Sequence, residues 1–159
     1  DFPLDFDRPT VRYIFEQVQG QPFLTQLIGQ SLVSRYNQTV FEEGKPREQR
    51  FTIEDVDAVI NDPTFYELGS YYFTGVWGQA EKSLPQGQTA ILLALARNED
   101  SLSETILFNE AGLSFEAGSA ALKMLEQHDV VYLDSSSKIS FTVPLMHRWI
   151  RLEKLKNVP

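Results

Sequence analysis

The side chains able to do acid–base or metal chemistry in this chain are few and scattered. His128 and His147 are its only histidines, cysteine is absent, and the two histidines fall on different elements, so no metal-ligand spacing forms. Carboxylates adjoin at Glu42-Glu43 and at Glu99-Asp100. Both pairs lie in loop-like sequence, where a solvated surface accounts for them better than paired acid–base work. Ser135-Ser136-Ser137 reads as the tip of a hairpin, not as a set of nucleophiles. No GxxxxGK[ST] loop is present to cradle a triphosphate, and neither HExxH nor GxSxG occurs. The chain reads as non-catalytic by itself, with no metal site and no cofactor of its own.

The elements that would position these residues come from a chain of 159 residues, enough for one domain or two small ones. With 42% hydrophobic and 12% aromatic residues it can bury a core. A formal net charge of -8 works against nucleic acid or an anionic membrane as a general partner, because both require a positive surface. The longest apolar run, Ala90 to Ala96, is far too short to span a bilayer, and no signal peptide opens the chain. A cytoplasmic protein with no membrane partner is the expectation. The start at Asp1 and not at Met leads us to expect a portion of something longer.

Asp7-Arg8-Pro9-Thr10 opens a first helix whose face Val11, Ile14, Phe15, Val18 is expected to be buried. Gly20 stops it, and Pro22 starts a second helix with the stripe Phe23, Leu24, Leu27, Ile28, Leu32 and Tyr36. Residues 42–50 read as a loop. Thr52 and Asp55 form a capping-box pattern ahead of Ile53, Val56, Val59 and Ile60. After Asp62-Pro63 comes one helix carrying Phe65, Tyr66, Tyr71, Tyr72, Phe73 and Trp77. A single helix face cannot hold six aromatic rings, so some must meet a second surface. Tyr71, Tyr72 and Trp77 are therefore candidates for contact with other protein domains.

The pattern changes near Ser83-Leu84-Pro85-Gln86-Gly87, which places a helical domain at 1–84 and a second domain at 85–159. The second predicts a helix from Gln88 to near Arg97, then one capped by Ser101 or Ser103 and ended by Gly112. A third, capped by Ser114, places Phe115, Gly118, Leu122 and Leu125 on one face. Val130–Leu133 and Ile139–Thr142 form a hairpin, and a last helix follows Pro144. The fold class expected is mainly α, the second domain being a winged helix with a two-stranded wing.

A winged helix raises DNA binding, since its third helix commonly enters the major groove. The exposed side of that helix would present Glu116, Ser119, Lys123 and Glu126, an acidic face that repels phosphate. Lys138, Arg148, Arg151 and Lys154 are the DNA-contact candidates if the alternative reading, a transcription-regulator or origin-recognition-type module, holds. Basic residues at a helix C-terminus need no ligand to explain them. Nucleic acid is not the expected partner.

"VQGQPFLTQLIGQSLV" (Val18 to Val33) resembles the region after the nucleotide-binding core of STAND-class, AAA+-like signalling ATPases, where a GxP corner opens a helix of a small lid domain. "FTVPLMHRWIRLEK" (Phe141 to Lys154) is similar to the end of the winged helix that follows that lid. The resemblance implies a C-terminal regulatory portion, a lid plus winged helix relaying nucleotide state by domain movement. ATP or ADP would be held by an upstream core of the same protein, its implied partner. In the family the corner proline lies against the nucleotide base, which points to Pro22, with Gly20 and Gln21 beside it. Some members carry a Met-His-Asp motif whose histidine senses the diphosphate. Met146-His147-Arg148 matches its first two residues only, and Arg148 stands where the acid would be.

Overall fold

The computed structural model describes residues 4–156, and it is mainly helical. The chain divides into two compact units, residues 1–71 and 72–159. The sequence pattern placed its division at 84/85. Two contacts account for the earlier one. Phe73 and Trp77 pack on Trp149 at 5.8 and 6.2 Å between ring centroids, which assigns most of their helix to the second unit. Buried Gln88 donates to the carbonyls of Ser83 (3.2 Å) and Pro85 (2.9 Å), tying the supposed linker to the next helix.

In the first unit α1 (Arg8–Val18), α2 (Pro22–Asn37), α3 (Ile53–Ile60) and α4 (Pro63–Leu68) surround Leu24, Ile28, Leu32, Val56 and Ile60. Asp7 caps α1 by accepting from Thr10 N (2.8 Å), and Asp62 caps α4 through Thr64 N (2.9 Å). Thr52 and Asp55 form the expected capping box at α3. Asp55 also meets Arg47 at 2.7 Å, fixing the loop before the helix. Residues 43–49 are irregular, in keeping with the loop expected at 42–50; the segment is entered from a π-helical turn, Gln38–Glu42, and ends in β2 (Arg50–Phe51), which pairs in parallel with β1 (Asp5–Phe6).

The expected buried face of α1 needs correction. Val18 is buried, but Val11 and Phe15 are 53% and 56% exposed, and Thr10 lies inside in their place. The stripe of α2 is buried as expected except for Phe23, which is exposed.

The aromatic helix is likewise two helices, α4 and α5 (Ser70–Lys82), separated at Gly69. In the second unit α6 (Gln88–Arg97) packs on α7 (Glu104–Glu110), α8 (Phe115–Gln127) and α9 (Pro144–Glu153). Helices α7 and α8 approach closely because residue 118 is glycine: a Cβ there would lie 2.5 Å from Phe108 Cγ. Phe115 was expected on the buried face of α8 but is 66% exposed, resting its edge on Phe108. The hairpin is β4 (Val131–Leu133) with β5 (Lys138–Phe141), and a third strand, β3 (Leu102–Ser103), joins the other edge of β5.

Candidate functional site

Two places bring together the residues singled out by chemistry or resemblance, one in each unit. The first is the corner between α1 and α2. Gln19 and Gly20 both adopt left-handed backbone, φ 48° and φ 72°, so the chain reverses in two residues. Gln19 N donates to Phe15 O and Gln21 N to Val18 O, closing α1. The Gln21 side chain then starts α2, its Oε1 accepting from Leu24 N at 2.8 Å, and Pro22 occupies the first turn, where no N–H is needed. Gly20 and Pro22 are exposed and Gln21 is half-buried. The ring of Phe15 lies against Gly20, within 3.2 Å of where a Cβ would stand. The corner is thus an exposed, hydrogen-bonded chain reversal with the Phe15 ring beside it. The Gln21 amide oxygen is committed to the helix start, and none of the three residues carries a charge.

The second place surrounds His147. Its Nε2–H donates to the carbonyl oxygen of Asn98 at 2.9 Å, and its ring lies 5.5 Å from that of Phe141. Burial pushes its pKa below the ordinary 6.5, against the upward pull of the Asn98 carbonyl; Arg151 pushes it down further and Glu99 opposes. With Leu95, Asn98, Ser101, Tyr132 and Pro144 it lines a cleft of about 240 Å3 that also takes in Glu99 and Asp100. A neutral imidazole beside two carboxylates is a poor seat for a diphosphate. Nothing local in the sequence marked Tyr132, Phe141, Glu99 and Asp100 as neighbours of His147.

The remaining candidates are dispersed. Tyr71 is 87% exposed, Tyr72 is half-buried and Trp77 is buried, so the three do not form one contact face. Among the bases, Lys154 Nζ sits 4.9 Å from the Trp77 ring and 5.4 Å from that of Trp149, and Arg151 pairs with Glu99. Arg148 is half-buried, and Lys138 is exposed on the hairpin. Lys154 and Arg151 are thus spent on the unit's own aromatic rings and carboxylate. No group of three or more His, Cys, Asp or Glu side chains suited to a metal occurs among the described residues. No described helix is long and apolar enough to cross a membrane. Comparison with protein families, with curated proteins and with solved structures returned no match.

Proposed function

We propose that this chain is a non-catalytic regulatory portion of a STAND/AAA+-like signalling ATPase, a lid-type helical unit followed by a winged helix. The observation that carries the reading is the state of the Gly20-Gln21-Pro22 corner. It is locked by backbone hydrogen bonds and left at the surface, with Val11 and Phe15 exposed on the helix leading into it. Exposed apolar side chains next to a rigid corner suit a surface that an adjoining nucleotide-binding core would cover. The order α6, β3, α7, α8, β4, β5, α9, with an antiparallel hairpin before the last helix, is that of a winged helix and supports the second half of the reading.

The fit to a nucleotide is partial. Pro22 and Phe15 offer apolar surface for a base, while no residue of the corner offers a charge to phosphate. The phosphates would belong to the core, and on this reading His147 does not contact them, because Glu99 and Asp100 line the cleft it faces. In the parent protein, this chain's part would be to cover the base and to convert the closed or open state of the lid into movement of the winged helix.

The test is the gene sequence upstream of Asp1, together with ATP and ADP affinity of the extended protein and its Pro22→Ala variant. The reading expects a P-loop upstream and weaker nucleotide binding by the variant, about three- to tenfold. An upstream region without a P-loop would end it.

A further inference from the structure

The cleft beside His147 is concave, small and unlike the corner in charge. It opens between the C-terminal end of α6, the hairpin and the first turn of α9, and its volume is about 240 Å3. Pockets for small molecules begin at roughly 300 Å3, so the space suits one side chain better than a cofactor. Three features select the sign of that side chain's charge. Glu99 and Asp100 stand at the opening, and Asp100 forms no ion pair among the described residues. The rings of Tyr132 and Phe141 wall the cleft, and an aromatic face attracts a cation. The carbonyl end of α6 adds partial negative charge at the same edge.

We propose that this cleft receives the guanidinium or ammonium end of one Arg or Lys side chain from a protein partner. Carboxylate and aromatic wall act together on such a group, Asp100 as counter-ion and Tyr132 as an exposed face for the alkyl stem and head. Arg151 occupies the Glu99 carboxylate from within the chain, so Asp100 is the acid open to the incoming cation. This inference does not rest on the nucleotide reading and stands or falls separately.

The experiment titrates the 15N-labelled full chain with a flexible Gly/Ser peptide carrying one central arginine, with its lysine twin, with its neutral citrulline twin, and with inorganic phosphate. Expected are saturable shifts confined to the amides of Asp100, Tyr132, Phe141 and His147 with the arginine or lysine peptide, at a Kd on the order of millimolar. The citrulline peptide and phosphate should leave these amides unmoved. Asp100→Asn and Tyr132→Ala should each weaken the arginine peptide about threefold or more, the rest of the spectrum reporting an intact fold. Equal binding of the citrulline peptide, shifts with phosphate, or no saturable change up to about 50 mM peptide would overturn the proposal.

Discussion

The corner at Gly20 and the cleft at His147 are opposites in construction. The corner is made by a handful of consecutive residues whose backbone angles and caps are set locally, and it is exposed and uncharged. The cleft gathers residues from α6, the hairpin and α9, and it is concave and acidic. What holds each in shape therefore differs. The corner depends on a left-handed glycine and a capping amide, whereas the cleft depends on the packing that brings α9 against α6.

The largest effect should come from loosening α9 where its aromatic face packs on α5. Trp149 on α9 is 3% exposed and meets both Phe73 and Trp77. Trp149→Ala removes the ring from a filled interior and should cost about 3–5 kcal/mol, read as a lower midpoint in urea unfolding followed by circular dichroism. If the loss were under about 1 kcal/mol, the idea that α9 is held by its aromatic face would be wrong.

Breaking the corner should cost less. Gly20→Ala places a Cβ on a residue at φ 72° and within 3.2 Å of the Phe15 ring. The left-handed angle alone costs about 1–2 kcal/mol for an L-residue, and the exposed Phe15 can swing aside at little further expense. A comparison with Phe15→Ser separates the two contributions. The serine variant alone should be nearly neutral, within about 0.5 kcal/mol, because its ring is more than half exposed.

The same contrast explains what the sequence revealed. Helix starts were legible wherever a cap residue stood before a proline or an acid, as at Asp7, Thr52, Asp62 and Ser114, because capping is decided within four residues. The Gly20-Gln21-Pro22 corner was legible for that reason too. The inward face of α1 was not: Val11 and Phe15 have the right spacing, but which side of a helix is covered depends on its neighbours, and here Thr10 faces inward. The pairs β1–β2 and β3–β5 engage two residues per strand, too few for any alternation to be seen. The aromatic stretch looked continuous because nothing in the spacing of Phe65 to Trp77 marks Gly69 as a break. The cleft was invisible for the reason that defines it, since Glu99, Tyr132 and His147 meet only through the fold.

The smallest effect is also the most discriminating about the cleft, because burial and the Glu99 carboxylate push His147 in opposite directions. Burial disfavours the imidazolium, and Arg151 adds to that. The Asn98 carbonyl and Glu99 favour it, and Asp100 lines the same cleft. The balance lies below the ordinary 6.5, so the folded state binds this proton less readily than the unfolded chain does. Stability from His147 is then fully present above the unfolded value and declines as pH falls through it toward the folded one. Following the His147 ring by NMR during a pH titration should give a midpoint under 6.5, and His147→Gln should remove the matching acid-side slope in stability. Glu99→Gln should lower the midpoint further, since it removes the carboxylate that favours the imidazolium. A midpoint above 6.5 would mean that Glu99 and the Asn98 carbonyl outweigh burial, and that the imidazole is not held neutral by the packing around it.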